Sequence, residues 1–502
     1  MQFAVKLLFS VALFATVFAC KKTDNPPATP VTPTPVPVPV PIDSTGTGTQ
    51  WYVAPDGSDN NSGKDDAHPK KSPRVVGSLA QPGDVINLMS GHGEFKRIGS
   101  QGVVLGCNSG KPYKNITIRS YPVGGPRTVI RGYNVFNTVG LVNTSYVNIE
   151  NIEVAGDMKG IYGGPALTQA GGDAIGVNTR NYYLAHGNSL SGYVWKDPEI
   201  AYQCSGIATD SRSHHIKISN CIIHDFPCVG IGGKNSDYIT VEDNIVYNCA
   251  IYSIYGASGI SFLVPFNFDA HTPIGDDKYE MIIRRNICYN NKSIVNCYTS
   301  GGLTDGNGII GDVNIFDVNG STANAYTGET LIENNISYRN GGGGIHMVSA
   351  QNLVVRNNTT FENGQVLNYA EMDASYASKN VRFTNNIACA KTGGKCIDNG
   401  YTKSGPAYYN VNIYYSNNVL YNGSITPSSI QGVTLVNNTR GIPNFISVAT
   451  GAFDFQLNTA ITSPVSSAKG FGSTVAGYYS VKDILNIGRP SSSPDCGAYQ
   501  SF

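Results

Sequence analysis

Six segments in the C-terminal half of the chain align on a single asparagine. They begin at Tyr238, Met281, Thr330, Leu353, Val381 and Ile413, and the shared residues are Asn244, Asn286, Asn335, Asn358, Asn386 and Asn418. Three places before each stands an apolar or aromatic residue, from Val241 to Tyr415. The spacing runs from about twenty residues upward, the period of a stacked-coil architecture. One coil cannot bury its own apolar face, so neighbouring coils must stack. Asparagine in the turn tolerates a left-handed backbone and can hydrogen-bond the coils above and below. The pattern predicts an all-β fold, a right-handed parallel β-helix with inserted loops, since parallel crossovers are nearly always right-handed.

The start of the chain predicts where it works. Lys6 precedes the apolar run from Leu7 to Ala19, then Cys20-Lys21-Lys22. This is a secretory signal, too short to span a membrane as a helix. Val17-Phe18-Ala19-Cys20 resembles a bacterial lipobox, which implies a lipid on Cys20 and anchorage to the outer membrane, periplasmic or at the cell surface. Prolines on alternate positions then make an extended stalk. The expected division is a signal over 1–19, a lipidated tether over 20–49, and one solenoid domain over 50–502.

Charge narrows the partners. The chain carries 35 basic and 35 acidic residues and no net charge, so nothing marks it for nucleic acid. Thirty tyrosines suit both strand packing and a sugar-compatible surface. The ten cysteines after Cys20 show no paired metal-binding spacing, and Cys221 and Cys288 fall inside the repeat as buried filler. The partners expected are a polysaccharide and, through the lipid alone, a membrane; the domain is expected to act as a monomer.

The opening WYVAPDGSDNNSGKDDAHP (from Trp51) and the later AQPGDVINLMSG (from Ala80) resemble the N-terminal cap of secreted polysaccharide lyases of the pectate-lyase superfamily, especially family 9. The closing SPDCGAYQ (from Ser493) resembles the last strand of the same group. SGISFLVPFNFD (from Ser258), LTDGNGIIGD (from Leu303) and the segment from Tyr326 resemble bacterial right-handed β-helix proteins of polysaccharide-degrading species. The resemblance implies carbohydrate processing, and in β-helix lyases a Lys or Arg base beside carboxylates holding Ca²⁺.

A second alignment locates the chemistry. Ala174-Ile175, Gly206-Ile207, Gly230-Ile231, Gly259-Ile260, Gly308-Ile309 and Gly344-Ile345 read as the starts of equivalent strands. With the aliphatic residue inward, the residues one and three further on point outward. The first outward column is Gly176, Ala208, Gly232, Ser261, Ile310 and His346; the second is Asn178, Asp210, Lys234, Leu263, Asp312 and Val348. Phe262 and Met347 fall inward. A lysine between carboxylates suits β-elimination from a uronic acid, which needs a base and a cation for the developing enolate.

Lys234, Asp312 and His346 are therefore the expected catalytic residues. Asp210 and Asp312 are the expected Ca²⁺ ligands, and Asp305, Asn307, Tyr255 and Asn178 are expected to meet substrate. Each has a plainer role available: a solvated turn lysine, turn-forming Asp305 and Asn307, a structural histidine. The alternative chemistry is a glycoside hydrolase with paired carboxylates including Asp312, its partner being Asp305, Glu371 or Asp373. A non-catalytic glycan-binding solenoid is the third reading. Irregular insertions around 180–204, 250–280 and 296–328 favour one built site.

Overall fold

The computed structural model describes residues 48–501 apart from 98–104, 162–163, 270–277, 316–321, 323–324, 399–408 and 427–431. Cys20 and the tether up to residue 47 lie outside the described residues. Three parallel sheets of twelve, ten and nine strands run the length of the molecule. They are called sheets 1, 2 and 3 here. Each coil contributes one strand to each sheet in turn, as in Asp237–Glu242, Ile245–Tyr247 and Ile260–Leu263. This is a parallel β-helix, the fold class read from the repeat.

The core is built of columns. In sheet 1 Val241, Ile283, Ile332, Val355, Phe383 and Tyr415 are consecutive rungs, and all are buried. Phe383 and Tyr415 stack with ring centroids 4.5 Å apart. In sheet 3 Ile207, Ile231, Ile260, Ile309, Ile345, Met372 and Ile397 are successive partners, each with no exposed surface. A strand buried by stacking above, below and within needs an unbroken run of such residues, so the inward register is strongly specified.

The asparagine column forms a continuous ladder. Asn286 Oδ1 accepts both the backbone N–H and the side-chain amide of Asn244 at 3.0 Å, and Asn286 Nδ2 donates to Val241 O and to Asn335 Oδ1. The pattern continues through Asn358, Asn386 and Asn418 to Asn438. Each of these ladder amides is satisfied by the coils on either side. The left-handed residue is the one before the ladder position: Asp243, Arg285, Asn334, Asn357, Asn385 and Asn417 have φ between 53° and 60°. The bend is made one residue early, which leaves the ladder asparagine free to bond along the stack.

The N-terminal end is closed as a cap. Gln50–Val53 pairs with Val85–Met89, and the buried Asp84 carboxylate accepts from Thr49 N, Trp51 Nε1 and Gln81 N. At the other end SPDCGAYQ is not a strand of the solenoid. It folds back along sheet 2, where Ala498 N donates to Thr359 Oγ1 and Gly497 N to Asn385 O. The buried Arg489 guanidinium ties it down through the carbonyls of Asp495, Gly497, Ala498 and Tyr499.

One expected coil start is helical. Ala174-Ile175 is not in a strand but in the helix Gln169–Ala185, whose N-cap Thr168 accepts from Gly171 N. Gly172, Ile175, Gly176 and Thr179 are buried at helical spacing. A Cβ on Gly172 would stand 2.7 Å from Val295, so glycine there lets the helix lie against the 295 loop. Gly176 and Asn178 therefore leave the outward columns, and Asn178 is exposed on the helix.

Candidate active site

The rest of the outward register holds. Gly232, Ser261, Ile310, His346 and Asp373 are consecutive partners on sheet 3, followed by Asp398. Lys234, Leu263, Asp312, Val348 and Ser375 form the second column, and Asp210 ends the strand preceding Lys234. Phe262 and Met347 are buried in the core.

Three of the expected residues come together. Asp312 ends the strand Ile309–Asp312, Asp305 lies in the turn leading into it, and His346 stands on the next rung. Burial pushes the Asp312 carboxyl well above the ordinary aspartate range, and the Asp305 charge pushes it further; His346 opposes both. Burial likewise raises Asp305, against the pull of His346.

The histidine has its own carboxylate. His346 Nδ1 is hydrogen-bonded to Asp373 Oδ1, and the Tyr369 ring stacks on the imidazole at 5.5 Å. Burial works against the imidazolium, but Asp373, then Asp305 and Asp312, hold its pKa above the usual histidine value. Asp373 is almost fully buried. It therefore lies behind the histidine, which keeps 9% of its own surface exposed.

Asn307 has no exposed surface. Its amide donates to Ser258 Oγ and, at 3.3 Å, to Asp305 Oδ1, while its Oδ1 accepts from Gly343 N at 2.7 Å. It positions Asp305 and the turn before His346 rather than meeting a ligand. Tyr255 is 39% exposed, beside Gly256. A Cβ on Gly256 would come 2.7 Å from Asp305 Oδ2, and its φ is +65°, so glycine lets this loop close on the carboxylate. Tyr255 meets Trp195 at 5.9 Å and Tyr298 at 5.8 Å, giving the site an aromatic wall raised by the inserted loops.

Lys234 and Asp210 stand apart from this cluster. Lys234 is exposed and makes no ion pair among the described residues. It shares the outward face with Asp312, two rungs away, with Leu263 between them. Asp210 is one rung further, so it and Asp312 are about 14 Å apart at about 4.8 Å per rung and cannot share one Ca²⁺. Among the described residues no group of three or more His, Cys, Asp or Glu converges as a metal site. The ten described cysteines are unpaired, nine of them buried.

Asp373 and Tyr369 lie outside the coil alignment because the residue before Met372 is Glu371 rather than glycine.

Neither a protein-family model nor a curated protein sequence matches the chain. Among solved structures it is similar to the pectate lyase Pel9A, with 16% identity over 90% of this chain and 96% of that one, at a TM-score of 0.49. A rhamnogalacturonan lyase is 14% identical over 82% of this chain and 97% of that one, at 0.46. A lacto-N-biosidase from Eubacterium ramulus is 15% identical over 78% and 67%, at 0.42.

Proposed function

We propose that the chain is a carbohydrate-active enzyme that hydrolyses glycosidic bonds at the carboxylate pair on sheet 3. The observation that carries this reading is the pair Asp305 and Asp312, carboxyls in the turn before one strand and at its end, with His346 on the next rung. Asp312, neutral, gives its proton to the leaving glycosidic oxygen as the C–O bond breaks. Asp305, ionised, takes a proton from the water whose oxygen bonds to the anomeric carbon. The sum is one water added across one C–O bond, and proton exchange with solvent returns both carboxyls to their starting states. The His346–Asp373 pair keeps a positive charge beside Asp305, which favours its ionised form. Tyr255 and Trp195 offer ring faces to a pyranose.

β-Elimination from an acidic polysaccharide is the second reading. It is supported by the place of Lys234 in the same outward column as Asp312, and it asks Lys234 to abstract the proton α to the uronate carboxylate. The carboxylate pair has no evident task in that chemistry. Incubating the purified chain with neutral and uronic-acid glycans separates the two. Hydrolysis releases reducing ends alone, and elimination also yields an unsaturated, ultraviolet-absorbing product.

A further inference from the structure

On the outer face of sheet 1, away from the carboxylate pair, lies a groove of about 510 Å³. Its floor is the outward side of the strands Gln351–Arg356, Lys379–Thr384 and Val411–Ser416. Three asparagines line one edge as a second ladder. Asn412 Nδ2 donates to Asn380 Oδ1 and Asn380 Nδ2 to Asn352 Oδ1, each at 3.1 Å. Unlike the core ladder this one faces solvent at Asn380 and Asn412. Each amide keeps an N–H and an acceptor lone pair for an incoming hydroxyl.

The opposite side carries a cation. The Arg382 guanidinium lies over the Tyr414 ring at 4.6 Å and the Tyr478 ring at 4.1 Å. It makes no ion pair, and none of its N–H groups has an acceptor, among the described residues. The other groove cation, Lys278, is bonded to Glu329 at 2.6 Å. The wall bearing Tyr478 is pinned by Arg356, which donates to Gly477 O at 2.8 Å. A guanidinium held by rings with its fork unused is preorganised for a carboxylate.

We propose that this groove is a second, non-catalytic saccharide site, which takes an acidic sugar with its carboxylate on Arg382 and its hydroxyls on the asparagine amides. The amides repeat one rung apart, about 4.8 Å, a periodic surface for a periodic polymer. The choice of a sugar as the carboxylate's bearer rests on the carbohydrate reading above.

The test is calorimetric titration of the Asp312→Asn chain with short oligogalacturonates and with neutral oligogalactosides of equal length. The uronates bind, Arg382→Gln weakens them at least tenfold, Arg382→Lys restores part of the affinity, and neutral sugars bind far more weakly. An unchanged unfolding midpoint shows that these variants are folded. Uronate affinity unaffected by Arg382→Gln, or equal affinity for neutral sugars, overturns the proposal. If the wild-type chain cleaves a glycan while this groove binds none, the proposal falls and the carbohydrate reading stands. If no glycan is bound or cleaved, both fall.

Discussion

His346 and Asp373 are neighbours on adjacent rungs of sheet 3, and the imidazole Nδ1 is bonded to the Asp373 carboxylate. This bond raises the proton affinity of an outward-column histidine beside Asp305 and Asp312. Asp373→Asn removes the charge that keeps His346 protonated. Turnover is expected to fall roughly 10²-fold at neutral pH. The acid limb of the kcat/KM profile should also move to higher pH, because Asp305 then loses the neighbouring positive charge that holds its pKa down. A purely structural role for Asp373 would lower activity without moving that limb.

The pH profile of the wild-type chain follows from the carboxyl pair. Activity is lost at high pH as Asp312 gives up the proton it donates, and at low pH as Asp305 gains one. Since both are raised by burial, and Asp312 by Asp305 as well, the optimum should lie above the ordinary aspartate range. Kinetics across pH on any cleaved glycan checks this.

The core ladder sets the stability of the solenoid. Asn335 accepts from Asn286 N and Nδ2 and donates to Ile283 O and Asn358 Oδ1, all without solvent contact. Asn335→Ala strands these partners in the interior and should cost on the order of 3 kcal/mol in chemical denaturation. The exposed Asn380→Ala should cost far less.

The architecture was legible because its determinants are repetitive. An inward isoleucine column and a buried asparagine at each bend must recur on every coil, so they stand out in one sequence. Lys234, Asp312 and His346 were placed on the outward face by alternation alone. Asn178 was misplaced because Ala174-Ile175 mimics a coil start, while the glycines that let the helix pack are readable only against Val295. Asp373 reads from the sequence only as a spare carboxylate, since Glu371 stands where the other coil starts carry a small residue and hides the rung that brings Asp373 to His346. The meeting of Asp305 with Asp312 comes from a turn whose course no periodicity encodes.

Glu371 itself gives a stability test. A second buried ladder runs from Asn291 through Asn340 to Asn363, and Glu371 ends it, accepting from Asn363 N at 2.7 Å and Nδ2 at 2.6 Å. Burial pushes its carboxyl up to about 8 despite these bonds. The folded value exceeds the unfolded one, so the folded state holds the extra proton. This contribution is complete below the ordinary glutamate value of 4.5 and is lost as pH rises toward about 8. Glu371→Gln keeps an acceptor for Asn363 and should flatten that decline in denaturation midpoints. An unchanged slope would show that Glu371 does not titrate there.

Tyr255 tests the aromatic wall. Tyr255→Ala should raise KM several-fold with little change in kcat, the mark of uniform binding lost. A fall in kcat alone would remove the ring from substrate contact.

Product analysis of single variants tests the central claim most directly. The wild-type chain should release reducing ends without an unsaturated product. Asp312→Asn and Asp305→Asn should each lower turnover about 10²-fold or more, while Lys234→Ala stays active. An unsaturated product that disappears in Lys234→Ala and persists in Asp312→Asn would contradict the hydrolytic account.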